Sequence, residues 1–117
     1  MNIDMDKVPL TSTEALRMFL AALDDDEKKT LKEVDEDQTS LFHHSWGAYL
    51  RNNWSMLEKD TPLVNNFKAM GITHPDDMSN ILMTSAWRTL NKKPLKVAEQ
   101  VKSYQDYWQK EIGRPIP

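Results

Sequence analysis

Six polar side chains in two short runs hold most of what could do chemistry in this sequence. His44, Arg51 and Asn52 lie in Leu41–Trp54, and His74, Asp76 and Asp77 lie in Thr73–Ser79. With His43 they supply five imidazole and carboxylate groups, of the kind that ligate a divalent metal or exchange protons with a substrate. The spacing argues against both. Adjacent helical residues point about 100° apart, so His43 and His44 are poorly placed to share one ion. The His-Glu-x-x-His spacing of helical zinc sites is absent. Ser45 beside His44 is not a triad signal, because triads are defined by spatial geometry. There is no cysteine, which excludes disulfides, thiolate ligands and a cysteine nucleophile. The expectation is no metal, no cofactor and no catalysis. A small hydrolase or metal-dependent enzyme using His44, His74, Asp76 and Asp77 is kept as an alternative.

The elements that must position these groups read as helices. In Leu41–Trp54, Phe42, Trp46, Tyr49, Leu50 and Asn53 follow the spacing of one helical face. His44, Ala48, Arg51 and Asn52 fall opposite, with His43, Gly47 and Trp54 at the boundary. His44 and Arg51 are seven residues apart, about 10 Å along the axis, so their side chains can reach one shared partner. Gly47 costs about 1 kcal/mol of helix propensity against Ala, which suggests a close approach by another backbone. The stretch is expected to be the central core helix, running from Asp37 or Gln38 to Asn53.

Thr11 with Glu14 opens an earlier helix carrying the stripe Leu16, Phe19, Leu20 and Leu23. A short second helix is expected from Asp26 to about Val34. Trp54, Met56 and Leu57 lack a clean period and read as a loop. Thr61-Pro62 starts a helix that buries Leu63, Val64, Phe67 and Met70 and stops at Gly71, with Ile72 placed for the accompanying apolar contact. A helix capped at Thr73 carries Asp76 and Asp77 in its first turn and buries Met78, Ile81, Leu82 and Ala86. Trp87 points away from that face and is a candidate exposed aromatic. A last helix spans Leu95 to Ile112, striped by Val97, Val101, Tyr104 and Trp108 and closed by Gly113 and Pro115. Aromatics of the central and last helices are expected to form the middle of the core. The fold class expected is all-α, a compact single-domain bundle of five to six short helices, with a flexible N-terminal segment 1–10 and a domain 11–114.

A chain of 117 residues suits one domain. Charge is uneven along it. Residues 1–37 carry net −6, residues 38–87 net −1 and residues 88–117 net +4, within a total of −3. The balance is too small for a strong electrostatic binder, though the opposite ends can attract within or between copies. No apolar run approaches membrane-spanning length and the first ten residues lack a signal-peptide pattern, so a cytoplasmic protein with no membrane association is expected.

Tyr49-Leu50-Arg51-Asn52-Asn53-Trp54 and Gly71-Ile72-Thr73-His74-Pro75-Asp76-Asp77-Met78-Ser79, taken together, resemble a family of small bacterial and phage proteins classed only as a domain of unknown function. The resemblance covers roughly residues 40–90. It implies a compact helical domain and no established activity.

The function expected is a protein-interaction module without catalytic activity. Four Trp in 117 residues supply the side-chain type that dominates interface energetics. The partner is a protein of unspecified identity, with homodimerisation a further form of the same idea. A phage or mobile-element inhibitor or regulator of a host protein fits the size and the resemblance. A nucleic-acid-associated protein using the basic C-terminal third is the other alternative; the acidic first third argues against it. For Arg51 the expectation is a two-pronged pair with Asp76 or Asp77, and for Asn52 or Asn53 a bond to the backbone of the loop 54–62. The rival reading is that these residues face solvent as part of a partner surface.

Overall fold

The computed structural model describes residues 1–4 and 6–112, with side chains placed as far as Lys110. Among these residues are six α-helices: α1 Ser12–Ala22, α2 Asp25–Glu33, α3 Ala48–Asn53, α4 Pro62–Ala69, α5 Pro75–Leu90 and α6 Val97–Tyr107. No strand occurs among them. A 3-10 helix over Glu36–Phe42 and a π-helix over His43–Gly47 lead directly into α3, and a second π-helix, Trp108–Ile112, extends α6. The closing residues expected for the last helix, Gly113 and Pro115, lie outside the described residues.

Start and stop signals explain most boundaries. Thr11 caps α1 by accepting the Glu14 N–H at 3.1 Å. The Glu14 carboxylate reaches back to Leu10 N–H at 3.3 Å. Asp24, two residues earlier than the expected second helix, forms a reciprocal capping box with Glu27 and starts α2. Thr61 accepts from Val64 N–H at 3.2 Å with Pro62 in the first turn of α4. Gly71 ends α4 at φ +98°, with Ile72 N–H bonded to Phe67 O at 2.9 Å and the Ile72 side chain buried. That is the left-handed stop with its apolar contact. A Cβ at Gly71 would lie 2.3 Å from Gln105 Nε2, so α6 crosses close above this turn. The cap of α5 is His74 and not Thr73: His74 Nδ1 accepts Asp76 N–H at 3.1 Å. Pro75 in the first turn fixes the start one residue later than the threonine signal implied.

The centre of the molecule is α5, not the 41–54 stretch. It packs against α1, α2, α3, α6 and the segment 36–47. Nine of its sixteen residues are buried, from Asp77 to Trp87. A helix packed on several sides buries more than one face, and this corrects the reading of Trp87. Its ring is buried, its indole N–H donates to Val34 O at 2.7 Å, and Lys93 Nζ lies 4.9 Å from the ring centre. The core is made by Phe19, Leu31, Leu50, Trp54, Met56, Phe67 and the inner residues of α5. From α6 only Val101 is fully buried, with Val97 and Tyr104 packed at its edge, so aromatics of the last helix do not form the middle. Helix α1 meets α5 from one side and carries α4 against itself, and the walls 36–47 and α6 stand on α5 from another. At the N-terminus, Ile3 is buried and Asn2 N–H bonds Ala22 O at 2.8 Å, so these first residues lie as a strap across the end of α1.

Candidate functional site

The 41–54 stretch turns a different side to the core than an unbroken α-helix would. Its 3-10 and π segments change the angular step, so Leu50, Arg51 and Trp54 point inward and Tyr49 is 38% exposed. Arg51, expected on the polar side, is only 8% exposed. Trp54, expected in a loop, closes α3 with its ring fully buried.

Arg51 is the hub that ties the 43–47 turn to α5. Its Nη1 donates to Ser79 Oγ at 2.7 Å and its Nη2 donates to His43 O at 3.0 Å. Nη1 also faces His43 Nδ1 at 3.3 Å. The expected two-pronged pair with an aspartate is therefore corrected. The two prongs hold a hydroxyl and a backbone carbonyl, and Asp76 Oδ1 meets Nε at 3.7 Å. Ser79 is one turn on from Asp76, on the same side of α5, whereas Asp77 is rotated away. Gly47 makes room for this arrangement: a Cβ there would lie 3.0 Å from Arg51 Nη1. The approach that Gly47 permits comes from the guanidinium and, at 3.3 Å, from the backbone carbonyl of Phe42. Asn52 is exposed. Asn53 bonds Tyr49 O of its own helix at 2.8 Å, not the following loop.

Asp76 lies between two imidazoles. His43 Nε2 lies 3.8 Å and His74 Nδ1 3.9 Å from its two oxygens. His43 Nδ1 lies 3.3 Å from Arg51 Nη1, which can only donate, and 3.4 Å from Asn80 Oδ1, which can only accept, so it is held between a donor and an acceptor. His74 Nδ1 is an acceptor, from Asp76 N–H. Both histidines are thus engaged in holding the site together. His44 is exposed, its ring edge-on to His43 at 4.8 Å. Asp77 is nearly buried and accepts from Trp108 Nε1 at 2.9 Å. Burial raises its carboxyl above the usual 3.8 and Asp76 adds to the rise, against the opposing effects of the Trp108 bond and His74. Tyr104 is pushed up to about 12 by burial and by the Asp77 charge. The Trp108 ring stacks on His74 at 5.5 Å. Among the described residues no three His, Cys, Asp or Glu are arranged to hold a metal ion.

These groups line one end of a cleft. A cavity of about 410 Å³ is bounded by Ser40, His43 and His44 on one wall, Tyr107 and Trp108 on the other, and His74, Asp76, Asp77 and Asn80 on the floor. It shares Ser40 and Asn80 with a second cavity of about 560 Å³ that continues along α5 to Arg88, between Glu36–Ser40 and Lys96–Tyr104. From Asp76 to Arg88 the floor runs about 18 Å. Trp108, His43 and Ser79 were not in the expected polar cluster. Trp108 read as one more position of the last helix's stripe, and a lone Ser on a helix carries no signal at all.

Residues 8–90 match the model of a family described as Domain of unknown function (DUF6794). The chain belongs to that family. The match is wider than the 40–90 stretch of the sequence resemblance: it begins ahead of α1 and ends with α5. Within it lie Arg51, His43, Ser79 and both aspartates; the Tyr107–Trp108 wall of the cleft lies beyond it. No curated protein and no solved structure matches the chain.

Proposed function

We propose that this member of the family is a non-catalytic protein-interaction module that docks an extended segment of a partner protein in the cleft along α5. One observation carries the reading. The two walls of the cleft at its His/Asp end are the two places where regular α-helix gives way, to 3-10 and π geometry over 36–47 and to π geometry from Trp108. Such departures cost backbone hydrogen-bond quality, and π turns concentrate at functional sites. Here they present His43, His44 and Trp108 to the same space. An 18 Å floor accommodates about five or six residues of extended chain. The lining alternates hydroxyls, amides and charges with Tyr104, Tyr107 and Trp108, a composition suited to a peptide with both main-chain and side-chain contacts.

Catalysis is the weaker reading because Asp76, the carboxylate beside both histidines, lies 3.8 and 3.9 Å from them, beyond the reach at which a carboxylate orients a catalytic imidazole, and is shared with Arg51. Nucleic-acid binding through the basic end is weaker too. Trp87 is buried, and of the basic residues that follow it Arg88, Lys96 and Lys102 face Glu36, Glu99 and Asp106. The test is affinity capture from the source cell with three baits: the parent, Ser103→Arg in the cleft wall and Asn65→Arg on α4. A protein captured by the parent and Asn65→Arg but lost with Ser103→Arg supports the reading. A partner retained equally by all three, or degradation of a substrate by the purified protein, contradicts it.

A further inference from the structure

We propose that the His/Asp end of the cleft is a pocket for an organic cation, taking the guanidinium or ammonium head of an Arg or Lys side chain on the docked segment. This rests on the docking reading of the cleft. Asp76 and Asp77 supply the negative groups, and Trp108 and Tyr107 supply aromatic walls.

Two acids in the first turn of a helix need no ligand to explain them, because the helix dipole favours anions there. Asp76 fits that explanation: it is half-exposed and already has Arg51 beside it. Asp77 does not. It is 9% exposed, it forms part of the cavity lining, and the Trp108 indole bonds only one of its oxygens. A carboxylate has about four acceptor positions, so capacity remains on it. Arg51, the nearby buried cation, is spent on Ser79, His43 and Asp76. An ionised carboxylate removed from water without a countercharge is costly. A cation entering the cavity supplies that countercharge. The aromatic groups favour the same occupant. His74 stacks on one face of Trp108 at 5.5 Å and fixes the ring, Tyr107 stands edge-on to it at 5.6 Å, and both rings line the cavity, where aromatic faces attract cations. A 410 Å³ cavity has ample room for such a head group. An anionic side chain would meet two carboxylates and gain neither contact.

The test uses the full chain labelled with nitrogen-15 and reads the Trp108 indole N–H resonance, assigned by its loss in Trp108→Phe. The probes are the N-acetyl methylamides of arginine, lysine and citrulline, the last a neutral near-isostere of arginine, together with agmatine as a free cation. The expected result is a saturable shift with the arginine or lysine probe, with Kd on the order of millimolar for so small a ligand, and none with citrulline. Asp77→Asn should weaken binding at least about tenfold. Tyr107→Ala, at an exposed position that leaves the fold intact, should weaken it about two- to fivefold. No shift with any cation, or an equal shift with citrulline, overturns the proposal. Agmatine binding more tightly than both amino-acid probes overturns the side-chain assignment in favour of a free cation. If a partner maps to the cleft and the cationic probes fail, the pocket falls and the docking reading stands. If the probes bind and no partner maps there, the docking reading falls.

Discussion

Replacing Arg51 by Ala should be among the most damaging single changes in the molecule, and the geometry sets the size of the effect. The side chain is 8% exposed and makes two charge-assisted hydrogen bonds, to Ser79 Oγ at 2.7 Å and His43 O at 3.0 Å. Such bonds contribute about 1.5–3 kcal/mol each at most, and their loss leaves a buried hydroxyl and a carbonyl short of a donor. The contact to Asp76, 3.7 Å long with the aspartate half-exposed, adds under about 1 kcal/mol. Allowing for relaxation and water entry, Arg51→Ala should cost about 3 kcal/mol. For a domain of this size that lowers Tm by about 12 °C. Arg51→Lys should recover less than half, because an ammonium cannot bridge two acceptors held in a fork. Double-mutant cycles sharpen the claim. Coupling of Arg51 to Ser79 should be about 1–2 kcal/mol, and to Asp76 under about 0.5 kcal/mol. Urea unfolding of the singles and doubles reads all of this. If Arg51→Ala stays within about 1 kcal/mol of the parent, or its coupling to Asp76 exceeds that to Ser79, the hub assignment is wrong.

Three further outcomes follow from the same structure. Gly47→Ala should destabilise by about 1 kcal/mol despite better helix propensity, because its Cβ would press at 3.0 Å on an Arg51 guanidinium pinned from two sides; a gain in Tm would show that Arg51 can yield. Gly71→Ala should cost more, on the order of 2 kcal/mol, since φ +98° strains any side chain there, while the Gln105 amide 2.3 Å from the new Cβ is a flexible end that can move aside, and thermal unfolding measures it. Asp77→Asn has a pH signature. The folded carboxyl lies above its ordinary 3.8, so its stabilising contribution is present below that value and is lost as pH rises through the raised one. The variant should therefore be at least as stable as the parent at pH 7, with the difference shrinking below pH 3.8 in paired urea titrations; a variant clearly weaker at pH 7 refutes the burial argument.

The fold was legible where local chemistry decides it. Thr11, Thr61-Pro62 and Gly71-Ile72 act through neighbours a few residues away, and the helices they bound are where they were expected. What failed involves distant partners. Trp87 lies opposite the apolar stripe of α5, and periodicity cannot reveal that α2 covers that second face. Arg51 has the pattern of a solvent-facing residue on an ideal α-helix, but a 3-10 and a π segment ahead of it rotate it inward. Departures of that kind are set by what packs against them. The polar cluster was half legible. Arg51 and His74 do meet at Asp76, because the two runs that carry them end up side by side on α3 and α5, while Asp77 turns to Trp108. The partner of Arg51 was misread, since Ser79 gives no sequence signal. Trp108 entered the site only because α6 folds back over the start of α5.

Site-specific photo-crosslinking tests the docking cleft most directly. A photoreactive residue is placed in turn at Ser40 and Asp37 on the cleft rim, and at Arg17 and Asn65 outside it, and each protein is irradiated in cells of the source. The account predicts one common adduct from the two rim positions and its absence from the two outside positions. Adducts from Arg17 or Asn65 with none from the rim would place the partner on another surface and contradict the account.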